Sequence, residues 1–337
     1  MSQLKVAILG ATGAVGHEFL KLLEERKFPL AELKLLASKK SAGKKVVFRG
    51  REIIIEEALP DSFKGVDLVL SSAGGLVSKA LVPHAVKAGA LVVDNTSAFR
   101  MDPQVPLVVP EINSHEIQKH KGIIANPNCS TIIMLVPVFP LHQISRIKRI
   151  VVSTYQAVSG AGQKAMEELR RQAEEFLQGK PLTKTIFPHQ VAFNLFSHNT
   201  KINAEGFCEE EVKMIRETHK ILNDNAIQIF PTTIRVPIFR AHSESILIEQ
   251  ESPVSLEQAR EALHKAKGIR LVDDRENNYF PMPAEAEGKD DILVGRLREE
   301  TSTRHGLGLF VSGDQIRKGA ALNAIQIAEI WLGSVKQ

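Results

Sequence analysis

The chain has 337 residues, of which 43% are hydrophobic and 24% are charged, and its formal net charge is +4. This length allows two domains, and the composition is typical of a globular protein with a sizeable core rather than of a disordered chain. Lysines and arginines are mostly interleaved with acidic residues, which argues against a nucleic-acid-binding protein with one basic face. Small anionic ligands such as phosphates and carboxylates remain compatible with this charge.

The chain contains two cysteines, Cys129 and Cys208. Because no CxxC motif or His/Cys ligand spacing accompanies them, we expect neither a disulfide framework nor a metal site. A strand predicted from residue 5 leaves no room for a signal peptide, and the longest apolar run, residues 132–141, is too short to span a membrane. We therefore expect a cytoplasmic protein with neither nucleic acid nor a membrane as a partner.

The first strand is predicted over residues 5–9, and a glycine-rich turn and a helix follow it directly. The turn has the sequence Gly10-Ala11-Thr12-Gly13-Ala14-Val15-Gly16. Strand, glycine turn and helix in this order form a dinucleotide-binding unit, in which the backbone approaches a pyrophosphate at the helix N-terminus. The GxxGxxG spacing differs from GxGxxG, so a tight turn without a ligand is the alternative. The position of the turn favours the nucleotide.

The second strand, residues 33–37, ends at the polar segment Ser38-Lys39-Lys40-Ser41-Ala42-Gly43. An NAD site usually has an acidic residue at this strand end, where it binds the ribose 2′-hydroxyl. Two hydroxyl groups and two lysines stand there instead, which favours a 2′-phosphate and therefore NADP. A solvated basic loop is the alternative.

The alternation of strands and helices continues with a strand from Asp67, a helix over 77–88 and a strand over 90–95. This pattern predicts a parallel, doubly wound sheet that binds ligands at the carboxyl ends of its strands. The segments Ser72-Ala73-Gly74-Gly75 and Asn95-Thr96-Ser97 end two of these strands. Both are therefore expected at the ligand-binding edge.

Cys129 lies in the segment Asn126-Pro127-Asn128-Cys129-Ser130-Thr131, between an apolar strand and a helix predicted over 130–142. A thiol at a helix N-terminus feels the positive end of the helix dipole, which favours the nucleophilic thiolate. The alternative is a small buried cysteine without chemistry. The expected cofactor shares this sheet edge, which favours the nucleophile.

The remaining chain is predicted to form an α+β domain whose sheet buries one face against a partner subunit. Its predicted helices are 163–177, 209–222 and 256–267, and its predicted strands are 147–158, 227–230, 232–236, 245–249, 292–297 and 307–312. We expect the strands between residues 227 and 249 to be antiparallel, and a last helix, 319–328, to return to the first domain. The predicted fold is α/β: a Rossmann-type NADP-binding domain, 1–128 with 319–337, and an α+β catalytic and dimerisation domain, 129–318.

Six segments in this order resemble the aspartate-β-semialdehyde dehydrogenase family and span nearly the whole chain. They are the glycine turn 10–16, 38–43, Asn95 to Arg100, Asn126 to Thr131, Arg235-Val236-Pro237 and Lys318 to Asn323. The related N-acetyl-γ-glutamyl-phosphate reductases share the fold and the thiol chemistry but surround the cysteine differently. They remain an alternative, as does an NADP-sensing regulator without catalysis.

The resemblance implies reversible, NADPH-dependent reduction of L-aspartyl-4-phosphate to aspartate semialdehyde and phosphate through a cysteine thioester. It also implies a homodimer, with a tetramer as a further possibility, that serves lysine, diaminopimelate, methionine and threonine biosynthesis. Such chemistry needs one thiolate, one proton carrier, a cofactor and anion-binding groups.

The resemblance further assigns roles to individual residues. Cys129 is the nucleophile, His242 the acid/base and Gln156 the residue that orients the substrate. The implied substrate-binding residues are Arg235 for the α-carboxylate, Glu210 for the amino group, Arg100, Lys213 and Asn128 for the phosphate, and Ser159. The implied cofactor-binding residues are Gly10, Thr12, Gly13, Ala14, Val15, Gly16, Ser38, Lys40, Ser41, Ser72, Ala73, Gly74, Asn95, Gly160 and Asn323.

Without the resemblance, most of these side chains would carry no signal. His242 is one of 11 histidines. Either arginine could equally form an ordinary surface ion pair, and Glu210 with Lys213 would be a solvated pair on one helix face. Three departures from the family pattern stand out: Lys39-Lys40, Ser197-His198 and Ala241. The first bears on cofactor choice and the others on loop geometry. We interpret Cys208 as structural.

Overall fold

The structure is a computed structural model that describes residues 4–335. The chain divides into two compact units, Met1–Asn128 with Ala320–Gln337, and Cys129–Gly319. Each unit is built on its own mixed sheet and is described by itself below.

The described residues up to 128 form the following strands and helices in chain order: β1 (Leu4–Leu9), α1 (Ala14–Glu25), β2 (Leu30–Ala37), β3 (Lys45–Phe48), β4 (Arg51–Glu57), β5 (Leu68–Ser71), α2 (Gly75–Lys87), β6 (Leu91–Asp94), α3 (Pro110–Asn113) and β7 (Ile123–Ala125).

The described residues after 128 continue with α4 (Cys129–Ile144), β8 (Ile147–Gln156), α5 (Gln163–Leu177), β9 (Phe196–Ser197), α6 (Glu209–Leu222), β10 (Gln228–Arg235), β11 (His242–Gln250), α7 (Leu256–Lys265), β12 (Ile269–Leu271), α8 (Pro283–Ala286), β13 (Ile292–Glu300), β14 (Gly306–Gly313) and α9 (Leu322–Val335). A π-helical turn, Arg317–Ala321, precedes α9 where a regular helix start was predicted.

The first unit contains the predicted doubly wound sheet, in the order β3-β4-β2-β1-β5-β6-β7. All neighbouring strands are parallel except β3 and β4. Alternate residues of β1 point to opposite faces: Val6 and Ile8 pack in the core with α1 and α9, and Ala7 and Leu9 pack in the core with α2. Burial on both faces explains why these strands are continuous apolar runs in the sequence.

The β3–β4 hairpin was missed by the sequence analysis. Its strands carry exposed apolar side chains, Val47 at 68% and Ile54 at 58% exposure, beside charged residues. Such an edge hairpin has no clear alternation between a buried and a solvated face, so its pattern resembles a loop.

The second unit contains a sheet in the order β12-β13-β14-β11-β8-β10-β9. The predicted strands 227–230 and 232–236 are one strand, β10. β10 and β11 run in opposite directions, as predicted, but they are not neighbours: β8 lies between them, parallel to β10 and antiparallel to β11. Pro231 is tolerated inside β10 because the antiparallel partner β9 reaches only Ile234 and Arg235, which leaves Pro231 on an open edge.

Helix α4 covers one face of this second sheet. It is apolar on all sides and buries most of its residues despite Pro137 and Pro140, as expected for a helix inside a core. The helix begins at Cys129, so its packing fixes the position of the thiol. The opposite face of the sheet carries half-exposed side chains, including Tyr155 and Phe310, whose ring centroids are 6.2 Å apart. None of the helices within residues 4–335 has the length and apolar character needed to cross a membrane.

Candidate active site

A cavity of about 670 Å³ lies in the first unit, where the carboxyl ends of β1, β2 and β5 meet. Its lining residues are Leu9, Gly10, Thr12, Gly13, Ala37, Ser38, Lys39, Glu57, Ala58, Ser72, Ala73, Leu76, Val77, Ala80 and Leu81. This is the edge at which open parallel sheets bind nucleotides.

The glycine turn at this cavity leaves no space for side chains. A Cβ at Gly10, whose φ is +92°, would lie 2.5 Å from the carbonyl oxygen of Ser72, and a Cβ at Gly16 would lie 2.4 Å from that of Gly10. Gly13, the N-cap of α1, has no side chain that could cap the helix, and the first helical turn contains no acidic residue. The N–H groups of this first turn therefore present the positive end of the helix to the cavity.

The structure brings many predicted cofactor residues to this cavity. Those that line it are Gly10, Thr12, Gly13, Ser38, Ser72 and Ala73. Ala14, Val15 and Gly16 form the first turn of α1, and Gly74 is the N-cap of α2. Lys39, rather than the predicted Lys40 or Ser41, lines the cavity.

Glu57 is a lining residue that the sequence analysis missed. It ends β4 and stands opposite Ala37 in the parallel β2–β4 pair. An acidic side chain is therefore present at the end of the second strand after all, supplied by its neighbour. The signal could not be read from the sequence because the hairpin that carries β4 was not recognised.

A line of side-chain amides connects Ser72 to α9 across the carboxyl ends of β5, β6 and β7. Asn95 Nδ2 donates to Ser72 Oγ at 3.4 Å, and Asn126 Nδ2 donates to Asn95 Oδ1 at 2.6 Å. Asn323 Nδ2 donates to Asn126 Oδ1 at 2.7 Å and to the carbonyl oxygen of Val108 at 3.0 Å. The Asn323 side chain is fully buried and thus holds the ends of these strands together.

Two further predicted site residues belong to the first unit. Arg100 is 7% exposed and donates from Nη2 to the carbonyl oxygen of Asn95 at 2.9 Å. Asn128, which is 6% exposed, immediately precedes the helix that begins at Cys129.

The second unit places three predicted residues in a row across adjacent strands. Arg235 and Gln156 end the parallel strands β10 and β8 and are register partners. His242 begins the antiparallel strand β11, one residue before Ser243, which pairs with Tyr155. All three predicted side chains are at most 4% exposed. The row exists because an antiparallel strand begins where its neighbour ends.

Gln156 connects the start of α4 to the start of α6. Its Nε2 donates to Ser130 Oγ at 2.6 Å and to Glu210 Oε1 at 3.2 Å, whereas its buried Oε1 has no hydrogen-bond partner. The carboxylate fixes this orientation of the amide, because a flipped amide would face Glu210 with its oxygen. Lys213 Nζ donates to Glu210 Oε2 at 3.2 Å, so Glu210 joins the amide to a cation.

Arg235 is held from both ends of its guanidinium group. Nη1 donates to the carbonyl oxygen of Ala157 at 2.5 Å, and Nη2 lies 3.0 Å from His198 Nε2. The guanidinium carbon lies 5.6 Å from the ring centroid of Phe187. Burial lowers the pKa of Arg235, and the negative charges of Glu210 and Cys129 oppose this shift. Both groups are therefore electrostatic partners of the arginine.

His242 accepts a hydrogen bond from the backbone N–H of Ala157, which lies 3.0 Å from Nδ1. A backbone N–H can only donate, so the neutral imidazole carries its proton on Nε2. Burial, followed by the charge of Arg235, lowers the pKa of His242 to about 3, while the charge of Glu210 acts in the opposite direction. His242 is therefore a neutral N–H donor at neutral pH.

Two glycines bring backbone close to these side chains. A Cβ at Gly160 would lie 3.4 Å from His242 Nε2 and 3.3 Å from Arg235 Nη1, and a Cβ at Gly319 would lie 3.0 Å from the Cβ of Cys129. Gly160, predicted to bind cofactor, thus borders the histidine and the arginine. Cys129 is a partly exposed free thiol.

Gln315 holds the loops around the site and was missed by the sequence analysis. Its Nε2 donates to Ser159 Oγ, and its Oε1 accepts the backbone N–H of Ala241 at 2.8 Å. Ala241 has a φ of +71°, a left-handed conformation that glycine adopts more easily.

Two other residues near the site were not predicted as site residues. The partly buried His198, which directly follows β9, reaches Arg235 from 37 residues earlier in the chain. Glu244, on the same strand as His242, is fully buried and neither carboxylate oxygen has a hydrogen-bond partner.

Cys208, interpreted as structural, is buried with its Sγ 3.2 Å from Thr233 Oγ1. Within residues 4–335, no cluster of three or more His, Cys, Asp or Glu side chains could hold a metal ion.

A glycine-turn nucleotide fold in the first unit, and in the second unit a thiol at a helix start with a buried arginine, glutamine and histidine, are the features of an oxidoreductase that uses a nicotinamide nucleotide. Comparison with known families agrees. Residues 5–120 match the semialdehyde dehydrogenase NAD binding domain, and residues 116–318 match the semialdehyde dehydrogenase dimerisation domain. The chain belongs to the aspartate-semialdehyde dehydrogenase family.

Similar proteins cover the whole length of the chain. Aspartate-semialdehyde dehydrogenase from Synechocystis sp. is 57% identical over 329 residues, which are 98% of this chain and 97% of that protein. The Aquifex aeolicus enzyme is 51% identical over 330 residues, 97% of each chain. Among solved structures, aspartate semialdehyde dehydrogenase II from Vibrio cholerae complexed with ASA has a TM-score of 0.96 at 44% identity and covers 98% of this chain and 99% of that one.

Proposed function

We propose that the protein interconverts L-aspartyl-4-phosphate and aspartate semialdehyde plus phosphate, with NADP as its cofactor, in the biosynthesis of lysine, diaminopimelate, methionine and threonine. The observation that carries this proposal is the position of Cys129 at the first residue of a buried helix, in one unit with the buried row Arg235, Gln156 and His242. The high identity of the relatives over their full length supports the same substrates.

The cofactor fits the first unit. Gly10 and Gly16 allow close backbone packing in the turn beside the N-terminus of α1, and Ser38 and Lys39 at the same cavity suit a 2′-phosphate. Thr12, Ser72 and Ala73 would contribute the remaining contacts, with Asn95 and Asn323 holding the strand ends. When bound, the reduced nucleotide supplies the hydride that the reaction needs.

Cys129 would attack the acyl carbon of the acyl phosphate as a thiolate. The bond from this carbon to phosphate breaks, phosphate leaves, and a thioester remains on the enzyme. The N-terminus of α4 and the positive charge of Arg235 favour that thiolate. We assign the phosphate to Arg100, Asn128 and Lys213, because guanidinium, amide and ammonium groups are its usual donors. Ser159 is assigned to the same substrate surface.

The reduced thioester carbonyl develops negative charge on its oxygen before the aldehyde leaves Cys129. His242 supplies Nε2–H as the donor for that oxygen, because Nδ1 is occupied by the N–H of Ala157. A neutral donor stabilises the charge without transferring a proton. We therefore assign His242 a donor role where the family resemblance implies an acid/base role.

Recognition of the amino acid end falls to three residues. Arg235 has the planar group that binds a carboxylate in a bidentate manner. Glu210 offers a carboxylate to the substrate amino group, and Gln156 holds that carboxylate through Nε2 while its Oε1 remains able to accept a hydrogen bond.

We infer that the protein is a homodimer that associates through the open face of the second sheet. This face presents Tyr155, Phe310 and Leu247, all half-buried in a single chain, and Phe230 at 54% exposure. Such a patch is typical of a protein interface. Leu247→Glu should give a monomer in light scattering, whereas Leu177→Glu, at a position with 78% exposure on α5, should remain dimeric.

Both free cysteines suit a reducing cytoplasm.

The function is tested by following phosphate-dependent formation of NADPH from aspartate semialdehyde. The Cys129→Ser variant should lose this activity by several orders of magnitude while it still binds NADP, and Cys208→Ser should keep it. N-acetylglutamate semialdehyde should not react. Turnover of that aldehyde instead of aspartate semialdehyde would identify a reductase of the related family, and NADP binding without any turnover would identify a sensor.

A further inference from the structure

His198 contacts Arg235 in the second unit. Its Nε2 lies 3.0 Å from Arg235 Nη2, and its Nδ1 lies 3.3 Å from Thr200 Oγ1. The contact joins the residue that follows β9 to β10, and a backbone hydrogen bond supports it: the N–H of His198 donates to the carbonyl oxygen of Thr233 at 2.9 Å. The imidazole is therefore anchored on the strand that carries Arg235.

The chemistry of the two groups determines the tautomer of His198. A guanidinium group has five N–H donors and no acceptor, so Nε2 of His198 must present its lone pair. Nδ1 then carries the proton and can donate to Thr200. Burial lowers the pKa of His198 to about 4; the positive charges of Arg235 and Lys213 contribute in the same direction, against the charges of Glu210 and Glu211. The imidazole is thus neutral and acts as an acceptor.

The second anchor of the guanidinium is the carbonyl oxygen of Ala157, which accepts from Nη1 at 2.5 Å. Two acceptors at different nitrogens fix the plane of the group as well as its position. Two of the five N–H donors are used in this way, and Nε–H is buried without a hydrogen-bond partner. A carboxylate that binds the guanidinium group meets N–H donors that are already oriented, so binding does not have to order the arginine side chain.

We propose that His198 is a positioning residue for recognition of the substrate α-carboxylate: its neutral imidazole, together with the Ala157 carbonyl, fixes the guanidinium plane of Arg235. This inference rests on the proposed function, in which Arg235 binds that carboxylate. His198 itself does not contact the substrate. It acts on one functional group of the substrate, and this selectivity distinguishes it from a residue that merely supports the fold.

Three aldehydes test this selectivity. Aspartate semialdehyde carries both the α-amino and the α-carboxylate group, succinate semialdehyde lacks the amino group, and 3-aminopropanal lacks the carboxylate. In His198→Leu, which removes the acceptor, kcat/KM should fall roughly tenfold for the two carboxylates, mainly through KM, as expected for loss of a hydrogen bond to a charged group. The value for 3-aminopropanal and the KM for NADP should not change.

Two matched variants complete the experiment. His198→Gln keeps an acceptor and should stay within about threefold of the wild-type enzyme. His189→Ala changes an exposed histidine of the same segment that contacts the ring of Phe196. This variant should behave as wild type. Equal losses for all three aldehydes in His198→Leu, or a loss in His198→Gln as large as in His198→Leu, would overturn the positioning role.

The wild-type enzyme separates this inference from the proposed function. If the wild type does not turn over aspartate semialdehyde, the proposed function fails. If the wild type is active and prefers carboxylate-bearing aldehydes, but His198→Leu retains that preference in full, the inference alone fails.

Discussion

The backbone N–H of Ala157 donates to Nδ1 of His242 across 3.0 Å. The same residue accepts Arg235 Nη1 with its carbonyl oxygen. One peptide segment thus sets the tautomer of the histidine and the position of the arginine, and it does so with main-chain atoms that substitutions other than proline retain. Rigid main-chain support of this kind is what keeps a site oriented before substrate binds.

This hydrogen bond predicts how substitutions of His242 behave. His242→Ala should lower kcat by roughly 10²- to 10³-fold, the usual effect of removing one oxyanion donor. His242→Gln, whose amide nitrogen can donate from a similar position, should recover at least tenfold of that loss. Steady-state kinetics of the two variants measure the difference.

The pH dependence of kcat checks the same assignment. Because the pKa of His242 is lowered to about 3, the imidazole is neutral throughout pH 6–9 and should produce no inflection there. His242→Gln should then have a profile of wild-type shape. An inflection near pH 6.5 that is present in the wild-type enzyme and absent from His242→Gln would instead show that the histidine transfers protons.

Gly319→Ala should damage both catalysis and stability. The new Cβ would lie 3.0 Å from the Cβ and 3.3 Å from the Cα of Cys129, atoms close to the main chain that cannot rotate away. A displaced nucleophile should lower kcat/KM by about 10- to 100-fold, with an unfolding free energy reduced by about 1–3 kcal/mol.

The matched control is Gly333→Ala. Gly333 lies in α9, is exposed, and has open space around the position of a Cβ. Alanine there should leave kcat/KM unchanged and raise stability by up to ~1 kcal/mol, the difference in helix propensity. Equal kinetics for the two alanine variants would contradict the role given to Gly319.

Glu244 predicts a pH-dependent loss of stability. Burial, together with the negative charge of Glu210, raises the pKa of Glu244 well above its usual range. Below the pKa of the unfolded state, near 4.3, both states are protonated and no cost arises. As the pH rises above that value, only the unfolded chain ionises freely, so the carboxyl group increasingly favours unfolding until the folded pKa is passed.

Glu244→Gln removes this titration. The variant should match the wild type near pH 4 and exceed its unfolding free energy at pH 8 by about 1 kcal/mol or more, because the amide does not ionise and a tenfold shift of a protonation equilibrium is worth about 1.4 kcal/mol. Urea unfolding at the two pH values provides the measurement. A difference between the proteins that is the same at both pH values would exclude ionisation of Glu244 as its cause.

We expect substitutions of Glu57 and Lys39 to have opposite effects on cofactor affinity, since both side chains line the nucleotide cavity and their charges are opposite. Removing the negative charge in Glu57→Gln should tighten NADP binding about threefold to tenfold, because a charge pair near the surface is worth about 1 kcal/mol. Lys39→Ala should weaken it by a similar factor.

NAD, which lacks the 2′-phosphate, serves as the control ligand for both variants. Its affinity should change little in Lys39→Ala and should not increase in Glu57→Gln. Calorimetric titration at two salt concentrations tests the electrostatic origin, since screening should reduce both effects. Parallel changes for NAD and NADP would place these residues away from the 2′-phosphate.

The doubly wound sheet could be predicted because its evidence is local. Strands such as β1 are buried on both faces and are therefore continuous apolar segments, and the glycine turn and helix follow at once along the chain. The edge hairpin β3–β4 is exposed and charged, so the same criterion failed there, and Glu57 at its end was missed. The placement of β8 between β10 and β11 was not predicted either, because a strand pattern carries no information about its neighbour.

By itself, the sequence determined the order of the elements, the glycine turn, the thiol at the start of α4 and the family to which these segments belong. Only the tertiary structure decided that Gln156, Arg235 and His242 form one row, that Ala157 fixes the tautomer of the histidine, and that His198 reaches the arginine. The physical reason is that periodicity and turn chemistry act over neighbouring residues, whereas strand register and burial join residues far apart in the chain. The tautomer of a histidine and the orientation of an arginine depend on those distant partners.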